Sequence, residues 1–278
     1  MKNYLYEMYD LNDARVISLL DELPLWSAPF GMRLLETVRL KKNIRALDIG
    51  FGTGFPLIEL AERLGKSCEV VGIDPWTSTY ERVESKIKMF GLTNVTLVNH
   101  NAEQMQFENA SFDLIVSNNG INNVTHADRA LSECYRIAKQ GAQFVITVNL
   151  PETMKEFYTP LKQVLTELGL VAEIRKLEAH ISEKRKSLEV TLKMITDAGF
   201  IIERKIEDAF FMHFTDCTAF FDHHVIKLAF RDSWKKILHQ DDLEKVFDLI
   251  EIRLNAAAEK EGEIRLTIPF VCIDCRKE

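Results

Sequence analysis

The stretch Asp48-Ile49-Gly50-Phe51-Gly52-Thr53-Gly54-Phe55-Pro56 constrains this chain more than any other. It follows an apolar run (Ile44, Ala46, Leu47, Ile49) and precedes a helix-like one (Leu57, Ile58, Leu60, Ala61, Leu64). A strand therefore turns sharply into a helix here, and the glycines let backbone approach a ligand closely. The spacing is G-x-G-x-G, because Phe55 stands where a dinucleotide fingerprint has its last glycine. Asp48 lies two residues before the first glycine. A pyrophosphate seeks backbone N–H groups and a helix N-terminus without a neighbouring carboxylate. A ligand carrying an ammonium and a sulfonium accepts that carboxylate.

Strands and helices alternate from residue 44 onward. Strands are expected at 44–49, 69–73, 95–98, 112–117 and 143–148, with helices at 57–64 (closed by Gly65), 77–90 (closed by Gly91) and 127–138. Strands separated by helices of this length imply right-handed crossovers and a parallel sheet covered on both faces. Ahead of them, 1–43 reads as helical: Leu11, Val16, Leu19, Leu20 and Leu23 form one apolar set, breaks follow at Pro24 and Pro29, and a second helix runs from about 31 to 40. After Pro151 the rhythm changes to long, charged, helical sequence over 152–198, then a strand at about 200–211, a helical block at 216–262 and a β-rich close at 265–275. The last two strands are expected to pair antiparallel. Pro269 means either that pairing starts after it or that a bulge sits there.

Composition narrows the class of ligand. The chain has 278 residues, 46% of them hydrophobic and 28% charged, with a net charge of −7. That balance repels a phosphate backbone, and the short basic runs Lys41-Lys42 and Lys184-Arg185-Lys186 read as solvated helix ends, so no nucleic-acid partner is expected. No stretch has the eighteen-odd apolar residues of a membrane span, and the start lacks a signal-peptide core, so no membrane insertion and a cytoplasmic location are expected. Five cysteines at 68, 134, 217, 272 and 275 argue against a disulfide framework. His213, Cys217, His223 and His224 match no standard zinc spacing, and strand alternation puts Cys272 and Cys275 on opposite faces, so no metal is expected.

Three further signals follow the glycine loop in order. Val70-Val71-Gly72-Ile73 ends at Asp74, where an acid at a strand tip suits both hydroxyls of a ribose. The next strand runs into Asn99-His100-Asn101-Ala102-Glu103, and the following one into Ser117-Asn118-Asn119. Residues 130–141 then read as a helix leading into a fifth strand. This order resembles the class I S-adenosylmethionine-dependent methyltransferases over about 44–149, closest to the small-molecule branch typified by quinone-biosynthesis enzymes. In that family the third strand is often followed by Asp-Ala-Glu, whose acid accepts from the adenine amino group; here Asn101 replaces the acid.

The resemblance implies a Rossmann-like α/β fold: a doubly wound, mostly parallel seven-stranded sheet with an antiparallel C-terminal strand pair and helical insertions. The chain is expected to divide into an N-terminal helical segment over the cofactor site (1–43), a cofactor-binding core (44–150), a helical region (151–199), the final strands (200–214 and 264–278) and a helical cap (215–263). The resemblance covers the strands at 200–214 and 264–276 only by architecture, and 152–198 and 216–262 not at all. It implies S-adenosylmethionine as cofactor, a small-molecule acceptor as partner, and cofactor contacts from Asp48, Gly50, Gly52, Gly54, Asp74, Pro75, Asn101, Ala102, Glu103, Asn118, Asn119 and, from the N-terminal segment, Trp26. No catalytic residue is assigned; His100, His126, His213, His223 and Tyr9 are conceivable bases. The aromatic residues at 210–234 read either as core of the helical cap or as an apolar acceptor pocket. The rival functions are a cofactor-sensing protein without turnover and an NAD-linked oxidoreductase.

Overall fold

The computed structural model describes residues 3–22 and 25–278, so Leu23 and Pro24, and the side chains of Leu19 and Leu20, lie outside the described residues. Seven strands form one sheet in the order β3-β2-β1-β4-β5-β7-β6: β1 Arg45–Ile49, β2 Glu69–Ile73, β3 Val95–Val98, β4 Phe112–Asn118, β5 Ala138–Asn149, β6 Ile201–Phe214 and β7 Ile264–Arg276. The pairs β1–β2, β2–β3, β1–β4 and β4–β5 are parallel, β5–β7 is antiparallel, and β6 closes the edge antiparallel to β7. Strand order reverses between β1 and β4, and such a switch point leaves a crevice at the carboxyl ends of the strands.

Eleven α-helices accompany the sheet among the described residues: α1 Ala14–Glu22, α2 Ser27–Thr37, α3 Leu57–Leu64, α4 Tyr80–Met89, α5 Ala127–Ile137, α6 Lys155–Glu167, α7 Val171–Lys184, α8 Leu188–Asp197, α9 Cys217–Asp222, α10 Arg231–Lys235 and α11 Leu243–Glu261. Their limits follow from local chemistry. Helix α3 buries Leu57, Ile58, Leu60, Ala61 and Leu64 and stops at Gly65, whose positive φ of 68° turns the chain while its N–H reaches Ala61 O at 2.9 Å. Pro29 does not break α2 as expected. It falls in the first turn, where the missing N–H costs nothing, so the helix begins at Ser27 and ends at Thr37.

The chain divides into two compact units. One comprises Leu11–Asn149, Ser187–Asp208 and Phe270–Glu278. Its core layers Leu57, Leu60, Ala61 and Val83 against Ala46, Val70, Leu114 and Val116 of the central strands. Register between β5 and β7 begins at Asn149 opposite Phe270, immediately after Pro269; the prolyl carbonyl instead accepts from Leu150 N at 2.9 Å.

The other unit comprises Met1–Asp10, Leu150–Lys186 and Ala209–Pro269 and is helical and aromatic. Phe157 stacks on Trp234 with centroids 4.0 Å apart, beside Phe220 and Phe221, and all four are essentially buried. Tyr4 stacks on Phe221 at 4.9 Å. The aromatic residues at 220–234 therefore form the core of this unit. All five cysteines are buried thiols.

Candidate functional site

A cavity of about 450 Å³ opens at the switch point of the sheet unit. It is lined by Ile49, Gly50 and Gly52 after β1, by Ile73 to Trp76 after β2, by His100, Asn101 and Ala102 after β3, by Asn118, Asn119, Gly120, Asn123 and Val124 after β4, and by Trp26 and Ser27 at the start of α2. Every wall but the last is a strand end, because parallel strands deliver their following loops to one edge.

Close approach of backbone makes the cavity possible. Gly50 (φ 79°) and Gly120 face each other so tightly that a Cβ on Gly50 would lie 2.8 Å from Gly120 Cα, and one on Gly120 would lie 2.2 Å from Ile49 O. Gly52 (φ 52°) has open space where a side chain would go. Gly54 (φ 109°) does not line the cavity; its missing Cβ makes room for Ile58 and Val83. Gly31 escapes the sequence reading. A Cβ there would fall 2.1 Å from the Phe55 ring, so this glycine lets α2 lie on the loop. A glycine inside an amphipathic helix is the signal the sequence offers for it.

Asp74 is buried, and its carboxylate ties the loop together. Oδ2 accepts from Gly52 N at 2.8 Å and Oδ1 from Trp76 N at 2.8 Å. Burial raises its pKa, while the two N–H groups pull the other way. Asp48 is fully buried on β1, opposite Gly72 and Val116, and is not a lining residue. Neither of its oxygens has a hydrogen-bond partner, and the nearest help for its charge is the Leu57 N–H that opens α3. Burial first, and the charge of Asp74 second, push Asp48 up to about 8. Of the two acids, Asp48 is thus the one whose ionisation a positive charge nearby would favour.

The remaining expected residues fall into two groups. Trp26, Pro75, Asn101, Ala102, Asn118 and Asn119 line the cavity. Asn118 bridges, donating to Ser27 O at 3.1 Å and accepting from Thr147 Oγ1 at 2.8 Å. Asn119 has a positive φ of 58° and accepts from Asn122 Nδ2 at 3.0 Å, while its own Nδ2 is buried without a partner. Asn101 accepts from Glu103 N at 2.9 Å, folding the loop onto itself. Glu103 lies off the cavity: its carboxylate accepts from Thr125 N (2.9 Å) and His126 N (3.1 Å) at the start of α5. Of the conceivable bases, His100 alone is on the wall. His213 pairs with Glu263 at 2.9 Å, and His223 packs against Phe214 and His224.

The donor set suits a cationic nucleoside. The cavity volume fits a ligand of that size, a strand-tip carboxylate retains lone pairs for hydroxyls, and buried acids favour a positive charge. Phe55, held under Gly31, removes the glycine that a pyrophosphate loop uses for helix–sheet approach.

Comparison with known proteins agrees. A family model described as a methyltransferase domain matches residues 47–146. Demethylmenaquinone methyltransferase of Geobacillus kaustophilus is 36% identical over 176 residues, covering 60% of this chain and 75% of that protein. The enzyme of the same name from Anoxybacillus flavithermus is 36% identical over 111 residues, covering 40% and 47%. The chain therefore spans between about half and three quarters of the curated relatives it matches. Among solved structures, an S-adenosylmethionine-dependent methyltransferase from Aquifex aeolicus shares the fold, with a TM-score of 0.52 at 19% identity over 72% of this chain and 93% of that one. Glycine loop, strand-tip acid and sheet order thus carry a sequence kinship as well as a shape, and the chain belongs to the class I S-adenosylmethionine-dependent methyltransferases, in their small-molecule branch.

Proposed function

We propose that this chain is a cytoplasmic enzyme that transfers the methyl group of S-adenosylmethionine to a small-molecule acceptor. The observation that carries the reading is the Gly52–Asp74 pair at the switch-point cavity, backed by the buried, partnerless Asp48. When bound, the cofactor supplies a methyl group already activated by its sulfonium. Gly50 and Gly52 let the loop backbone come against it, and Asp74 uses its remaining lone pairs for ribose hydroxyls. Asn101 and Ala102 would hold the base, and Trp26, Asn118 and Asn119 complete the wall.

The titratable side chains on the wall are Asp74 and His100. The chain therefore contributes mainly alignment and exclusion of water, for which positioning is worth about 7–11 kcal/mol at best. An acceptor that must first lose a proton finds His100 as the base on this wall. The cytoplasmic assignment draws on the five buried thiols, which suit a reducing compartment; no helix among the described residues is long and apolar enough to cross a membrane. Quinol-like acceptors are the first to try, since the named relatives are demethylmenaquinone methyltransferases.

The test is calorimetric titration with S-adenosylmethionine, S-adenosylhomocysteine and NAD. The first two are expected to saturate one site, with Asp74→Ala weakening both by about tenfold or more as charge-assisted bonds are lost. Saturable NAD binding without a response to S-adenosylmethionine overturns the assignment. A binder that methylates none of a panel of phenol, amine and thiol acceptors is a sensor instead.

A further inference from the structure

Helix α1 ends against its own dipole. Asp21 sits in the last turn of Ala14–Glu22, where a carboxylate faces unpaired carbonyls and is disfavoured. The fold compensates from a distance in sequence: the Asp21 side chain is 7% exposed, and two cations of α4 meet it. Arg82 Nε donates to Oδ2 at 2.6 Å, and Lys86 Nζ donates to Oδ1. Positions 82 and 86 are i and i+4, so one face of α4 carries both.

The two cations are not equivalent. Lys86 Nζ also donates to the Thr53 carbonyl at 2.7 Å, inside the glycine loop, whereas Arg82 hydrogen-bonds to Asp21 alone among the described residues. The peptide after Thr53 is tied at its other end too, since Gly54 N donates to Phe51 O at 2.8 Å. Lys86 therefore fixes the outer end of a rigid plane whose inner end closes the tight turn of the loop. Gly54 stands at φ 109°, a region that glycine alone enters readily, and a glycine lets such a plane swing at little cost. Gly52, whose N–H holds Asp74, belongs to the same turn.

We propose that Lys86 is a positioning residue for the cofactor: it holds the 53–54 peptide so that Gly50 and Gly52 keep their backbone against the nucleoside, and Asp21 is the counter-ion that keeps it there. The role rests on cofactor binding at the switch-point cavity, which neither Lys86 nor Asp21 lines. An ammonium suits the place because three N–H groups on one nitrogen can serve a carboxylate and a carbonyl at once. Without it, α1 stays pinned by Arg82 and by Asn12, which accepts from Ser78 Oγ at 2.7 Å, but the loop loses its outer tie.

The test compares Lys86→Met with Arg82→Met in the full-length protein. Each removes one cation from Asp21, so each should lower Tm to a similar extent. In calorimetric titration with S-adenosylmethionine and S-adenosylhomocysteine, Lys86→Met should bind both about tenfold more weakly than wild type. Arg82→Met should stay within about twofold, since no bond to the loop is lost. Amide hydrogen exchange without ligand follows the loop itself: the Gly54 N–H should exchange about tenfold faster in Lys86→Met and at the wild-type rate in Arg82→Met. Equal losses of affinity in the two variants would mean that the hold on α1, not the loop, carries the effect, and would overturn the proposal. Unchanged Gly54 exchange in Lys86→Met overturns it too. A wild-type protein that binds neither compound counts against the methyl-transfer reading, while the exchange comparison still decides whether Lys86 holds the loop.

Discussion

The sheet unit buries two acids at the carboxyl ends of β1 and β2, Asp48 and Asp74, whereas the helical unit buries two arginines, Arg185 and Arg231. The acids sit where the fold gathers backbone N–H groups: Gly52 N and Trp76 N hold Asp74, and the first N–H of α3 faces Asp48. The arginines sit among aromatic rings, at the end of α7 and in α10, where backbone donors cannot help a cation. The lesson is that a switch-point sheet can buffer negative charge with its own turns, but a helical core must find a counter-ion. Arg231 finds it in Glu7; Arg185 does not.

Breaking the sheet unit's geometry should have the largest effect. In Gly120→Ala the new Cβ would press on the Ile49 carbonyl at 2.2 Å, and that backbone is fixed by β1 and cannot yield. A loss of about 3 kcal/mol or more is expected, at the upper end of overpacking costs, seen as a lower urea midpoint at unchanged slope. Stability within about 0.5 kcal/mol of wild type, the scatter of surface substitutions, would mean that the Gly50–Gly120 pinch is not a constraint.

The two arginines give the next contrast. Arg231→Met strands the Glu7 carbonyl, while the Glu7 carboxylate keeps Lys227 and the Tyr9 hydroxyl at 3.0 Å each, and should cost about 2 kcal/mol, the penalty of one acceptor left unpaired. If its urea midpoint instead matches that of Arg185→Met, the presence or absence of a partner is not what separates them.

These contrasts also show what the sequence could and could not convey. The bounds of β2 and α3 follow from apolar runs flanked by Asp74 and Gly65, and the glycine loop with its downstream Asp74 and asparagines predicted much of the cavity wall. Such features are local: turn chemistry and periodicity lie within a few residues of each other. Gly31 escaped because the ring it accommodates, Phe55, is far along the chain. Arg185 escaped because Lys-Arg-Lys on a helix end reads as solvated until tertiary packing buries its middle member. Pro29 misled for the opposite reason, as a residue that breaks helices inside them is at home in their first turn.

Titration sharpens the acid side of the comparison. The Asp48 carboxyl is pushed up to about 8 in the fold from an ordinary 3.8. Between those values the folded state holds a proton that the unfolded chain has released. Stability therefore falls as pH rises through that window and levels off above it. Asp48→Asn keeps the shape without the charge, so its stability should stay flatter from about pH 5 to 8 and exceed wild type at the upper end by at least about 1 kcal/mol. A cation delivered beside Asp74 favours ionised acids, so S-adenosylmethionine binding near neutral pH should release protons and tighten as pH rises. Calorimetry in two buffers of different ionisation enthalpy measures that release; none at all would separate these acids from the cofactor's charge.

The smallest effect is expected at Glu103, which tests where the cofactor wall ends. Its carboxylate accepts from Thr125 N and His126 N, the donors that introduce α5, and it stands off the cavity. Glu103→Gln leaves a carbonyl oxygen to accept the same two bonds and removes only the attraction between a negative charge and a helix N-terminus, about 0.3–1 kcal/mol. Cofactor affinity should stay within about twofold, since no charge-assisted bond to the ligand is lost. A drop of tenfold would mean that Glu103 leaves α5 to meet the nucleoside when it binds. The loop after β3 would then be a moving part of the site, and Asn101, which accepts from Glu103 N, would move with it. Measuring both substitutions, Glu103→Gln and Asn101→Ala, separates the cases: in a fixed wall they act independently on binding, whereas in a moving loop their effects are coupled.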